Sequence, residues 1–174
     1  MNSIRRTLVP ALGAALLVAV AAPTASADDS PRGSGPRVGM LVNVFSGKCL
    51  EVPALNNDDG APAQQWDCDG GDNQLWEFDS GSPGTIVNVQ SGKCLEVADW
   101  GMEMGDPIRQ WDCQGGANQT WSFDNSWQTP GLEILNRNSF RAMEIPGWSW
   151  ENGTQAGHWS WTADPKQQWK VVTP

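Results

Sequence analysis

Apolar residues are spread along this chain in two different ways. Behind Arg5 and Arg6, Leu8 to Ala22 form a nearly unbroken apolar run, and Ala25-Ser26-Ala27 follows with small side chains. A basic start, an apolar centre and an A-x-A word are the order of a secretory leader. The run, at about 15 residues, is short against the roughly 20 that span a bilayer. A signal peptide over residues 1–27, cleaved after Ala27, is expected. The Arg pair also opens a twin-arginine pattern, which Thr7-Leu8-Val9 fits poorly. Residues 28–39 (DDSPRGSGPRVG) carry no apolar period and read as a flexible tail. From Met40 onward the apolar residues come in short bursts: Leu41-Val42-Asn43-Val44, Ile86-Val87-Asn88-Val89 and Ile134-Leu135-Asn136. Turn-forming clusters interrupt them at Asn56–Gly60, Asp69–Asp72 and Ser80–Gly84. That is the punctuation of short strands, and no window sustains a helical apolar face for three turns. The pattern predicts an all-β domain over residues 40–174.

The bursts recur because the domain is written three times. SGKCLEV stands at Ser46–Val52 and again, unchanged, at Ser91–Val97, 45 residues later. The same offset carries Gln65-Trp66-Asp67-Cys68 onto Gln110-Trp111-Asp112-Cys113, and Asn73-Gln74-Leu75-Trp76 onto Asn118-Gln119-Thr120-Trp121. A third, diverged copy follows at an offset of 48, with Arg141-Ala142-Met143-Glu144-Ile145 and Gln167-Gln168-Trp169. The copies span 40–80, 81–127 and 128–174. Three short-stranded units bury a shared core by closing around an axis or by stacking. A closed barrel leaves no exposed edge, and a propeller needs at least four blades.

Composition narrows the function. The chain has 174 residues, with 20 acidic and 11 basic side chains. Removing the leader takes Arg5 and Arg6 with it, leaving nine basic side chains and a net charge of −11. Such a surface repels phosphate backbones and anionic headgroups, which excludes a general nucleic-acid or membrane-surface binder. Eleven Trp and no Tyr are the more informative count. Trp76, Trp121 and Trp169 close each copy after an apolar-rich strand and read as core anchors, each preceded by a Gln that bonds nearby backbone. Trp66, Trp111 and Trp159 stand mid-copy, each behind an amide or imidazole (Gln65, Gln110, His158).

Copies of about 45 residues carrying CLEV, QW.C and a Gln-x-Trp word resemble the ricin B-type β-trefoil lectins and family-13 carbohydrate-binding modules, over essentially all of residues 40–174. The resemblance implies a β-trefoil: twelve strands, four per copy, with pseudo-threefold symmetry. Four Cys allow three pairings. The symmetry of the copies favours Cys49–Cys68 and Cys94–Cys113, each closing a loop of about 20 residues for roughly 3 kcal/mol. Zinc is the rival reading. These pairs, however, lack the close C-x₂₋₄-C spacing, and a secretory leader implies an oxidising destination. No metal and no cofactor are expected.

The resemblance also implies a site. The mid-copy Trp presents an aromatic plane to the C–H face of a sugar, while a carboxylate and amides take its hydroxyls. On this chain the set is Glu51, Gln64, Trp66, Asn73 and Gln74 in the first copy, and Glu96, Trp111, Asn118 and Gln119 in the second. A weaker third subsite is Glu144, Trp159 and Gln167. All three acids are Glu where the sugar-binding members carry Asp, and one added methylene moves the carboxylate. A solvated Glu in a local structural contact is the competing reading. Arg109 replaces Gln64 in the second copy, which suits either an anionic sugar or an ion pair with a nearby acid. Gly157 and Lys166 alter the third, so the expected order is first, second, third. Trp100 and Trp148 share one loop position (Leu55 in the first copy) and either widen a glycan platform, form a partner patch or pack over the barrel mouth. Asn118-Gln119-Thr120 and Asn152-Gly153-Thr154 are glycosylation sequons.

An enzyme is not expected. A retaining glycosidase needs two carboxyls about 5–5.5 Å apart, and the three Glu are separated around the axis. The single His, His158, stands where the other copies carry Gln, and no G-x-S-x-G word occurs. The expectation is a secreted, monomeric carbohydrate-binding protein whose partner is a polysaccharide or glycan. Its alternative is a trefoil scaffold without sugar binding, acting as a protein-interaction module or secreted hydrolase inhibitor.

Overall fold

The computed structural model describes residues 37–53, 56–78, 82–124 and 131–174. The expected leader, residues 28–36 of the expected tail, and the copy boundaries at 80/81 and 127/128 lie outside the described residues. Twelve strands run through them. The first copy supplies β1 (Arg37–Asn43), β2 (Cys49–Glu51), β3 (Gln64–Trp66) and β4 (Leu75–Phe78). The second supplies β5 (Ile86–Asn88), β6 (Cys94–Val97), β7 (Ile108–Trp111) and β8 (Trp121–Asp124). The third supplies β9 (Leu132–Asn136), β10 (Ala142–Glu144), β11 (Gly157–Trp159) and β12 (Gln168–Val172). The β-trefoil is present. One boundary needs correction: Arg37–Gly39 are strand rather than tail, because Arg37 to Met40 pair with Phe78 to Leu75. Among the described residues no helix is long and apolar enough to cross a membrane.

Six strands make the barrel. β1 pairs with β4 and β12, β4 with β5, and β9 with β8 and β12. The remaining junction is a bridge in which Gly84 and Trp121 exchange backbone hydrogen bonds of 2.9 and 2.8 Å. The other six strands form the hairpins β2–β3, β6–β7 and β10–β11. Pleat periodicity sends alternate residues inward, so one residue from each copy fills each level of the core. Leu41, Ile86 and Ile134 form one such set, Leu50, Leu95 and Met143 another, and Val52, Val97 and Ile145 a third, all buried. Trp76, Trp121 and Trp169 are fully buried, as expected. Their indole N–H groups donate to the carbonyls of Leu50, Leu95 and Met143 at 2.9, 2.9 and 3.1 Å. The one polar atom of each large apolar ring is thereby satisfied.

The hairpins are joined by a closed ring of backbone bonds. Ala63 N–H donates to Ile108 O, Ile108 N–H to Ala156 O, and Ala156 N–H to Ala63 O, at 3.1, 2.9 and 2.8 Å. Side chains reinforce it. Gln65 Nε2 donates to the carbonyls of Ser149 and Glu151, and Gln110 Nε2 to those of Asn56 and Asp58. His158 Nε2 plays the same part toward Glu103 O at 2.7 Å. A carbonyl only accepts, so the proton sits on Nε2, and Nδ1 accepts from Ser139 Oγ at 2.8 Å. The amide-like role expected of His158 is thus the role it has: each copy grips the loop of a neighbour.

Both expected disulfides are formed, Cys49–Cys68 and Cys94–Cys113. Replacing either pair by serine is expected to lower the unfolding free energy by about 3 kcal/mol, read by urea denaturation. An unchanged midpoint would sink the account. Burial pushes the His158 imidazole below its ordinary value of 6.5, against the pull of Glu103 O and the Asp106 carboxylate. Below that pH the unfolded chain binds the extra proton and the folded one resists it, so stability falls as pH drops through 6.5. Thermal midpoints between pH 5 and 8 are expected to show that slope, and His158→Gln to reduce it.

Candidate functional site

Register decides what each lobe presents. In the β2–β3 hairpin Cys49 faces Trp66 and Glu51 faces Gln64, whereas Leu50 and Gln65 face the axis. Cys49, Glu51, Gln64 and Trp66 therefore share the outer face. The short 3₁₀ turn Asp72–Gln74 brings Asn73 and Gln74 up beneath it. Gln64 Nε2 donates to Glu51 Oε1 at 3.0 Å, while Asn73 Nδ2 and Gln74 Nε2 donate to Oε2 at 3.2 and 3.0 Å. The expected first-copy set is brought together as one network beside Trp66.

Two roles change. Glu51 is only 5% exposed, and three of its roughly four lone-pair sites are filled from within the chain. The carboxylate is turned inward, to the amides. It organises the lobe and keeps one free position, on Oε1. Gln74 is fully buried. Its amide donates to Glu51 and to Asp67 O, and its Oε1 accepts from the N–H groups of Asp69 and Gly70. With every hydrogen-bonding position taken, it has nothing to offer a ligand. Gln119 and Gln167 are buried and committed likewise, to Glu96 and Asp112 O and to Glu144 and Ser160 O. Each of the three Gln holds the buried carboxylate of its own copy.

What remains open in the first lobe is aromatic. Trp66 is 41% exposed. Its ring edge lies against the third-copy loop at Gly153, where φ is +83° and a Cβ would stand 3.8 Å from the ring. Beside it, Lys48 and Asn152 bond Asp67, and together they hold that carboxyl below the ordinary carboxylate range.

The second lobe has the same frame and a different surface. Asn118 and Gln119 donate to Glu96 Oε2 at 3.1 and 3.0 Å. In place of Gln64, Arg109 donates through Nε to Glu96 Oε1 at 2.9 Å and through Nη2 to Asp99 at 3.0 Å. Its guanidinium lies over Trp111, 4.3 Å from the ring centroid. The indole face open in the first lobe is covered here by the chain's own cation, and that cation is matched by two carboxylates. Of the two uses expected for Arg109, the ion pair is the one built. In the third lobe Lys166 Nζ and Gln167 Nε2 both donate to Glu144 Oε2, at 2.6 and 2.7 Å. Gly157 brings no side chain over it, and Trp159 is half-buried.

Sequence reasoning missed one set of positions. Asn43, Asn88 and Asn136 are fully buried. Their Nδ2 groups donate to the backbone carbonyls of Lys166, Asn73 and Asn118, at 2.9, 3.0 and 2.9 Å. Each ties the start of one copy to the site turn of another. Their recurrence in register within the apolar bursts was the available signal. Of the two sequons, Asn118 is buried with its amide donating to Glu96 and Val97 O, whereas Asn152 is exposed.

A sequence profile described as the ricin-type beta-trefoil lectin domain matches residues 37–169. Among solved structures, the designed threefold-symmetric protein ThreeFoil is 30% identical, covering 79% of this chain and 99% of its own, with a TM-score of 0.75. The exo-beta-1,3-galactanase 1,3Gal43A of Clostridium thermocellum is 32% identical over 82% of this chain, with a TM-score of 0.74. This chain spans 31% of that protein's length. The ricin B-like lectin of Macrolepiota procera, solved in complex with lactose, shares the fold at 18% identity and a TM-score of 0.69, covering 82% of this chain and 99% of its own.

Arg109 replaces Gln64 as the donor to a buried acid, so the two substitutions at that position are expected to differ. Arg109→Gln keeps a donor on Glu96 and is expected to cost under about 1 kcal/mol. Arg109→Ala leaves Glu96 Oε1 without a donor and only the Asn118 and Gln119 amides on Oε2, and is expected to cost about 2–3 kcal/mol. Denaturant midpoints decide. Equal losses would mean that the Arg109–Glu96 bond contributes nothing particular.

Proposed function

The chain belongs to the ricin-type β-trefoil lectin domain family, and on that premise we propose that it is an exported, non-enzymatic binder of neutral saccharides whose first lobe is the principal site. The leader over Met1–Ala27 directs export, and the trefoil works outside the cell. The observation that carries the reading is the open plane of Trp66 beside an acid and two amides already fixed in place. A sugar stacks its C–H face on that indole and takes hydroxyl contacts from Gln64 Oε1 and the free position on Glu51. Little ordering is left for binding to impose. Neutral sugars are favoured because the cations of the lobes are already paired with carboxylates, Lys48 with Asp67, Arg109 with Glu96 and Asp99, and Lys166 with Glu144. The acidic surface repels further anions. The first lobe is best because Arg109 covers Trp111 in the second. The third lobe adds a weak contact, and avidity along a polymer raises the apparent affinity.

The scaffold reading, in which the trefoil holds a protein partner, is favoured by one observation: Glu51, Glu96 and Glu144 are all buried. Affinity electrophoresis of the full mature chain against β-1,3-galactan, xylan and laminarin, with lactose as soluble competitor, separates the two. Retardation by at least one polymer is expected, weakened about tenfold or more by Trp66→Ala and little by Trp111→Ala, with urea midpoints unchanged. No retardation by any polymer, with folded protein, would favour the scaffold.

A further inference from the structure

Each copy meets a neighbour at a junction between the turn after its first strand and the neighbour's loop. At two junctions the turn supplies an amide. Gln90 Nε2 donates to Asn57 Oδ1 at 3.0 Å, and Asn138 Nδ2 to Trp100 O at 3.2 Å. At the third, the equivalent residue is Phe45, and it meets rings. Its centroid lies 5.0 Å from that of Trp148, edge on, and 4.2 Å from that of Trp150. This cluster does not belong to the core. Trp148 and Trp150 are 46% and 56% exposed, yet contact through Phe45 holds both in place. Two pre-ordered indoles left half in water are a surface on which a flat ring can stack.

The surroundings favour a neutral ring there. Lys166, 6.0 Å from the Trp148 ring, already has its charge matched by Glu144, so no net cation attracts an anion. The loop that carries Trp150 is built of small polar side chains: Ser149 Oγ and Thr154 Oγ1 bond each other at 2.7 Å and the backbone of Glu151, and Asn152 is exposed with its amide on Asp67. Flat apolar faces on a loop of small polar side chains complement the C–H face of a neutral sugar.

The position adds the decisive point. Loop 149–154 is fastened to β3: Gln65 Nε2 holds the carbonyls of Ser149 and Glu151, and Gly153 N–H donates to Gln65 O at 2.9 Å. Asn152 bonds Asp67, and Gly153 lies against Trp66. The loop therefore carries Trp150, packed with Trp148 against Phe45 of the first copy, at one end and abuts the principal lobe at the other. Trp150 and Gly153 are three positions apart, at most about 11 Å of backbone. We propose that Phe45, Trp148 and Trp150 form a second saccharide platform continuous with the Trp66 lobe, so that the ligand is an extended neutral polysaccharide chain rather than a terminal sugar. The proposal rests on the lectin reading of the first lobe.

Calorimetric titration with xylose, xylobiose to xylohexaose, and the matching laminari- and β-1,3-galacto-oligosaccharide ladders tests it on the full mature chain. For the series that binds, affinity is expected to rise with length up to four to six units. Trp148→Ala/Trp150→Ala is expected to remove that rise, weakening the hexasaccharide about tenfold while leaving the shortest binding unit unchanged. Phe45→Ala, which leaves both indoles but releases them, is expected to remove part of it. Thermal midpoints identify any variant that fails to fold, and Trp148→Phe/Trp150→Phe, which keeps the planes, is expected to restore most of the length dependence. A double Ala variant that binds hexasaccharides as the parent does overturns the platform while leaving the lobe standing. If Trp66→Ala leaves the hexasaccharide bound and the double variant loses it, the lobe reading falls and the platform stands. No binding of any ladder overturns both.

Discussion

Hydrogen-bond saturation of one buried amide governs this molecule's surface. Gln74 sits below the first lobe with four partners, one of them the Glu51 carboxylate and the other three backbone groups of the turn that leads to Trp76. An amide in that position has no inexpensive alternative, because any partner lost leaves a buried polar group unpaired. The acid is held by the amide, the amide by the turn, and the turn by the Trp that anchors the strand in the core. The lobe's polar geometry is thus a consequence of core packing. A ligand meets it already assembled.

The same unit occurs in all three copies, and what differs lies one layer out. Gln64, Arg109 and Gly157 occupy the same outer position above Glu51, Glu96 and Glu144. The outer residue decides whether the neighbouring indole is bare, covered by a guanidinium, or left without a companion side chain. The junctions diverge in the same manner, from the Gln90–Asn57 amide pair to the Phe45–Trp148–Trp150 rings. Because the buried amide and acid are internal to each copy, such outer changes leave the frame intact. One scaffold thereby carries three different surfaces.

Most of the frame was legible in the sequence. The identical SGKCLEV words, the paired cysteine spacing and the three closing tryptophans named the fold, the crosslinks and the core anchors, because each depends on contacts inside one copy. Burial of the acids was not legible. Whether a Glu points at water or at an amide depends on one methylene and on the height of a 3₁₀ turn, which residue type does not encode. Contacts between copies were hidden for another reason: Gln65 and Glu151, or Phe45 and Trp148, are close only once the trefoil closes. His158 is instructive, since its occurrence where the others have Gln correctly pointed to an amide-like part, while the carbonyl it holds came from a different copy.

Met40 on β1 pairs with Val172 on β12, so the domain's first and last strands lie side by side. A domain whose first and last strands are neighbours can be joined into a surface loop or to either end of another polypeptide without the barrel having to open. The trefoil is in that sense suited to attachment: its loops are fixed by bonds closed within the domain and do not depend on what either end is joined to.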